Sequence, residues 1–148
     1  MEGKWTAPFE VAPLAGARMI ALAAWDEICS IASSGSILCH NFDSGKTVQL
    51  QGSESSVALT AAGGLSACGK SASGQWQCWN ILPPLLEALG SVSVKVLSAV
   101  PLRELILAGF YICGLGEDSS VACENAQNIG LMPMPETAEL TPITGLPL

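Results

Sequence analysis

Six cysteines are the residues of this chain whose type and spacing speak most directly of chemistry. They stand at 29, 39, 68, 78, 113 and 123, so that three pairs each enclose nine residues, and the first members of successive pairs are offset by 39 and then 45. Thiols at a fixed spacing can oxidise to a disulfide, sit as buried apolar groups, or bind a soft metal. If each pair brackets a β-hairpin folded about its midpoint, Cys29 faces Cys39, Cys68 faces Cys78 and Cys113 faces Cys123. Directly opposed residues of a non-hydrogen-bonded antiparallel pair have Cα atoms about 4.5–5.5 Å apart, within disulfide reach. Cross-strand disulfides are therefore feasible in all three, each contributing roughly 2–3 kcal/mol by loop-closure entropy. Three identical spacings favour this reading over six independently buried thiols, which stays open as the alternative. Structural zinc sites usually show tighter pairs such as Cys-x2-Cys, so no metal and no cofactor is expected.

Other reactive groups are sparse. His40 is the only histidine, so any Ser-His-Asp or Cys-His mechanism would run through it, and it directly follows Cys39 at the end of a hairpin strand. It reads as a solvent-facing strand residue. The acids Glu54, Glu87, Glu104, Glu117, Asp118, Glu124, Glu136 and Glu139 are scattered, with no spacing that pairs two carboxylates on one element. No glycine-rich phosphate loop is present, and Asp43-Ser44-Gly45-Lys46 reads as a turn. No catalytic residue is proposed, and the chain is expected not to be an enzyme.

The elements that must position the cysteines repeat with them. An apolar strand precedes each pair: MIALAA at 19–24, VALTAA at 57–62 and LILA at 105–108. Each pair has turn formers at its centre, Ser33-Ser34-Gly35, Ala72-Ser73-Gly74 and Glu117-Asp118-Ser119, which supply the positive φ or capped geometry of a short hairpin loop. The third lacks glycine, which leaves its turn type open. Trp76 and Trp79 lie at opposite parity on one strand, predicting one packed inward and the other partly exposed. A short helix is expected within residues 84–89 of the long link.

Bulk properties agree with an all-β chain. With 148 residues, 49% apolar and 13% charged, 15 Gly and 9 Pro, it suits a single domain of short strands and many turns. Three repeats are expected over about residues 15–52, 53–100 and 101–135 of the 1–148 domain, with connector-like ends at 5–14 and 137–148. Thirteen acids against six bases, a net charge of −7, lack the footprint of a phosphate binder, so no nucleic acid is expected. Residues 1–10 carry both charge signs and show no signal peptide. The apolar region 81–115 is broken by Pro83, Pro84, Glu87, Lys95, Pro101, Arg103 and Glu104, so no membrane span is expected there.

Residues 57–80, VALTAAGGLSACGKSASGQWQCWN, and 106–124, ILAGFYICGLGEDSSVACE, resemble blades of the regulator-of-chromosome-condensation superfamily, most nearly those in ectodomains of plant crinkly-type receptor-like kinases. Cys113-Gly114-Leu115 and Cys78-Trp79 carry the likeness, and GLMPMP at 130–135 resembles the connector to a following blade. The first copy departs from it with Trp25-Asp26 and Cys39-His40, and the third ends in Cys123-Glu124. The resemblance implies a seven-bladed propeller at a cell surface. Three blades are fewer than the four to eight that close a propeller, predicting an incomplete arc, either part of a longer ectodomain, closed by its termini or closed by several chains. The expected function is a non-enzymatic binding module of an extracellular or cell-surface receptor-type ectodomain, meeting a peptide, protein or glycan. The alternative is a structural repeat protein that self-associates into a ring.

Overall fold

Alternation of apolar and small residues between glycine-bearing turns gives short, mostly antiparallel strands, thirteen of them in three sheets among the described residues. The computed structural model describes residues 10–24, 26–62, 66–80, 93–108, 111–125 and 137–144. The first sheet is β1 (Met19–Ala24), β2 (Glu27–Ile31), β3 (Ile37–Asn41) and β4 (Thr47–Gln49), in that order. The second holds β5 (Ser56–Ala62), β6 (Ser66–Ser71), β7 (Trp76–Asn80) and β8 (Ser93–Leu97), and the third β9 (Leu102–Ala108), β10 (Tyr111–Gly116) and β11 (Val121–Asn125). The expected helix at 84–89 and the connector at 130–135 lie outside the described residues. Among the described residues no helix is long and apolar enough to cross a membrane.

The central hairpin of each sheet has the register read from the cysteines: Cys29 pairs with Cys39, Cys68 with Cys78 and Cys113 with Cys123. The Cα atoms stand 4.0, 4.0 and 4.1 Å apart, and all three pairs lie at disulfide distance. All three loops are the same turn. The carbonyls of Ala32, Ser71 and Gly116 accept from the N–H groups of Gly35, Gly74 and Ser119, three residues on. The N–H groups of Ala32, Ser71 and Gly116 donate to the carbonyls of Ser36, Gln75 and Ser120. Such a loop needs a left-handed residue before the second strand, supplied by Gly35 (φ 93°), Gly74 (φ 87°) and Ser119 (φ 69°). The turn left open by the missing glycine is thus the same turn built with serine, its neighbour Asp118 capping the N–H and hydroxyl of Ser120.

Cross-strand partners share a face, so every sheet has one flank carrying the cysteine pair and an opposite flank. The sheets stack by one rule. The cysteine flank of the first sheet, with Cys29, Ile31, Ile37, Cys39 and Leu50, packs on Ala67 and Trp79 of the second. The cysteine flank of the second, with Trp76, Val94 and Val96, packs on Leu105, Ile112 and Ala122 of the third. Glycine follows the first cysteine in the second and third sheets, where no room is left for a side chain: at Gly69 the neighbouring sheet fills the space, and at Gly114 a residue of its own sheet does. A Cβ at Gly69 would meet Ile37 Cδ1 at 2.6 Å, and one at Gly114 would meet Leu102 Cδ2 at 2.7 Å.

Trp76 and Trp79 do point to opposite flanks, but both are buried, which corrects the expectation of a partly exposed ring. The second sheet is packed against a neighbouring sheet on both sides. His40 is half-buried, not fully solvent-facing, and its Nδ1 lies 2.8 Å from Thr47 Oγ1.

After β11 the chain returns to the second sheet. β12 (Thr137–Glu139) runs parallel to β8 as its fifth strand, and β13 (Thr141–Pro142) then pairs with β11 as the fourth strand of the third sheet. Ala138 and Leu140 of this strap are buried in the second joint, and the Leu140 N–H donates to the Leu97 carbonyl (2.9 Å).

Candidate binding surface

The residues expected to do chemistry do not converge. His40 stacks edge-on against Phe42, with centroids 5.4 Å apart. Among the described residues no three His, Cys, Asp or Glu side chains could together hold a metal ion. What distinguishes one region from another is the finish of the two joints between sheets, which occupy equivalent positions.

The first joint is closed. Ser53, fully buried, accepts from the Ile37 N–H (2.9 Å) and donates to the Leu50 carbonyl (2.5 Å). Ser56 Oγ donates to the Ser53 carbonyl (2.5 Å), and its N–H reaches the Gly35 carbonyl (3.0 Å). The Trp79 ring fills the remaining space, and its Nε1 donates to the Gln51 carbonyl (2.9 Å). Every polar group named here has a partner, as a dry joint requires.

The second joint is open. Ala99 stands where Ser53 stands, counted from the outer strand, so the bridging hydroxyl is gone. Trp76 occupies the place of Ile37, and its buried Nε1 has no hydrogen-bond partner among the described residues. A cleft of about 100 Å³ lies along Gln75, Trp76, Ser98, Val100 and Leu102. Glu124, the residue after the second cysteine, stands where the first joint has Trp79. Beside it a larger cleft of about 510 Å³ is lined by Leu97, Ala99, Glu124, Glu139, Leu140 and Pro142.

The two outer flanks are uncovered in a specific way. On the cysteine flank of the third sheet, Ile106 is 56% exposed, Tyr111 53% and Ile143 45%, and Cys113 and Cys123 are half-buried, whereas the other four cysteines are fully buried. Val96 and Leu50, which match Ile143 in register, are buried. On the opposite flank of the first sheet Ile20 and Leu22 are exposed, where Leu105 of the third sheet is buried.

One carboxyl is perturbed by its surroundings. Glu27, two residues before Cys29 and on the same flank, is 6% exposed. Burial first, and the nearby Asp26 second, push its pKa up to about 7. Asp26 itself accepts from Asn41 Nδ2 (3.0 Å). At the third turn the hydroxyl and N–H of Ser120 hold the Asp118 carboxyl below its usual range.

Three four- to five-stranded sheets, stacked radially through repeated joints with β1 against β5 and β5 against β9, decide the architecture. The fold is that of β-propeller blades. Solved propellers of the RCC1-like type superpose on most of the chain. Human WBSCR16 matches 86% of it with a TM-score of 0.59 at 14% identity. Prp20p from Saccharomyces cerevisiae matches 88% with a TM-score of 0.60 at 10% identity. The Kap60-bound form of yeast Prp20 gives 87%, 0.57 and 10%. This chain spans only 37–39% of those proteins' lengths, so it corresponds to part of their propeller. No protein-family model matches the chain, and no curated protein matches its sequence. The RCC1-like blade expected from the cysteine repeats is thereby supported at the level of fold.

The sequence reading missed the contrast between the joints. Its signal was present: aligned on their cysteines, the blades have His40, Trp79 and Glu124 at one position, and an acid in a place that elsewhere seats an indole marks a gap.

Proposed function

We propose that the chain is a non-enzymatic protein-binding module, its propeller blades stapled by Cys29–Cys39, Cys68–Cys78 and Cys113–Cys123 as part of an extracellular or cell-surface ectodomain. The observation that carries this reading is the third blade's flank, where Ile106, Tyr111 and Ile143 expose apolar surface at a stacking face that is buried in the other two blades. Apolar surface grouped in this way marks an interaction site. Yeast Prp20p is known for binding Gsp1p and histones and for a complex with Kap60, which supports a protein as the kind of partner. Three cysteine pairs at disulfide distance support an oxidising compartment.

The test pairs two measurements. Panning a display library of ectodomains and peptides against the folded protein should enrich saturable binders, and Ile106→Asp or Tyr111→Asp should weaken them at least about tenfold, as loss of a buried interface anchor does. Binders indifferent to both substitutions, or no binder at all, overturn the module. Non-reducing peptide mapping should give the three within-blade links; six free thiols would remove the extracellular setting.

A second reading has its own observation. Both outer flanks expose apolar residues at positions that the internal joints bury, so two copies joined head to tail would make six blades, inside the range of four to eight that closes a ring. Sedimentation at twice the 15.2 kDa chain mass would support that ring, and a monomer at all concentrations would exclude it.

A further inference from the structure

We propose that the Cys113–Cys123 bridge is a thiol-exchange site, the one bridge of the three that a dithiol reductant opens while the chain stays folded, and that opening it loosens the apolar flank. This goes beyond the binding reading and rests on its stapled blades. Thiol–disulfide exchange requires a thiolate to reach a sulfur, so access decides which bridge reacts. Cys29 and Cys39 lie in the first joint, packed with Ala67 and Trp79 of the second sheet. Cys68 and Cys78 lie in the second joint, packed with Leu105, Ile112 and Ala122 of the third. The third pair belongs to neither joint, and both of its cysteines are half-buried where the other four are at most 1% exposed. A reductant reaches it directly, whereas the other two bridges wait for their joint to open.

Register ties the bridge to the flank. Cys113 lies opposite Ile106 on β9 and Cys123 opposite Thr141 on β13, so one row crosses all four strands of the third sheet. β13 is joined to β11 by two register pairs, Cys123 with Thr141 and Ala122 with Pro142, and by the Ile143 N–H, which donates to the Val121 carbonyl (2.8 Å). The bridge fixes β11 against β10, and through β11 it places Ile143. Opening it leaves this edge without its covalent staple. The exchange itself is balanced. One thiolate of the dithiol attacks the Sγ of one cysteine, the bond between Cys113 and Cys123 breaks, and the other sulfur leaves as a thiolate and takes up a proton. The reductant's second thiolate then attacks the mixed disulfide and frees the first cysteine. The bridge gains two electrons and two protons, both supplied by the dithiol, which closes to its own disulfide.

The experiment takes the whole chain, maps its links without reductant, and then exposes it to dithiothreitol in native buffer. Freed thiols are capped with N-ethylmaleimide at successive times and the tryptic peptides are weighed; cleavage after Lys46 and Lys95 puts the three pairs on different fragments. Cys113 and Cys123 should be capped together, at least about a hundredfold faster than the other four, as direct access against joint opening implies. Amide hydrogen exchange at Ile143 should then quicken at least about tenfold in the capped protein, with Ala32 of the first blade unchanged. The Cys113→Ser/Cys123→Ser double variant, which carries no cap, should show the same change. Equal capping of all three pairs, faster capping of either buried pair, or a third pair that resists until the chain unfolds would overturn the exchange site. Unchanged exchange at Ile143 in both samples would overturn the loosened flank. The initial map separates the failures. Six free thiols, or links between blades, fell the stapled blades together with this site, whereas three within-blade links followed by equal capping fell this site alone.

Discussion

Burial of Glu27 makes the stability of the first joint depend on pH. Burial pushes its pKa up to about 7 in the folded chain, from the 4.5 of an unburied glutamate. Folding therefore favours the protonated form. Below pH 4.5 the group is protonated whether the chain is folded or not, and it costs nothing. As the pH rises from 4.5 to 7 the unfolded chain ionises first, and stability is lost across that window until the folded group has also ionised. At 1.36 kcal/mol per unit, the full difference amounts to as much as about 3 kcal/mol above pH 7. Glu27→Gln keeps the shape and removes the charge. The variant should match the wild type at pH 4 and exceed it by up to about 3 kcal/mol at pH 8, equivalent to roughly 6–12 °C in Tm for a chain of this size. Urea unfolding of the oxidised protein at five pH values, read by the fluorescence of buried Trp76 and Trp79, measures this. A wild-type-minus-variant difference that does not change with pH, or a variant less stable at pH 8, would refute the reasoning.

Three further outcomes follow from packing and backbone. Gly69→Ala and Gly114→Ala place a methyl against Ile37 or Leu102 and should each cost about 1–3 kcal/mol in denaturant unfolding, as over-packing does. Ser119→Gly relieves a left-handed serine and should raise stability by about 0.5–1 kcal/mol, with the same substitution at Ser33, which lies outside the left-handed position, giving no gain. Ser53→Ala leaves the Ile37 N–H without its acceptor in a dry joint and should cost about 1–3 kcal/mol, whereas Ala99→Ser in the open joint should be close to neutral by the same assay.

The repeat was legible because a pair of cysteines nine residues apart announces both a hairpin and its register, and each central hairpin has that register. The glycine after the first cysteine was legible as a pattern, but its cause at Gly69 lies in a neighbouring blade, whose Ile37 stands over it. The tryptophans were misjudged for the same reason. Period-two alternation tells which flank a side chain takes, and it is silent on whether a second blade covers that flank. Glu27 gave no sign of burial, since alternation places it on the cysteine flank and is silent on what covers that flank. The pairing of β12 could not be read because three residues running parallel to a strand far upstream leave no local periodicity that names their partner.

The strap through Thr137–Pro142 also orders assembly in time. The first blade is built from consecutive segments and can be completed as soon as β4 has left the ribosome. The second blade's outer strand keeps an open hydrogen-bonding edge until β12 arrives, and the third lacks its fourth strand until β13 follows. These two blades are therefore completed together, after the first has all four of its strands. An unpaired edge held through that interval is where a nascent chain meets either a chaperone or another copy of itself.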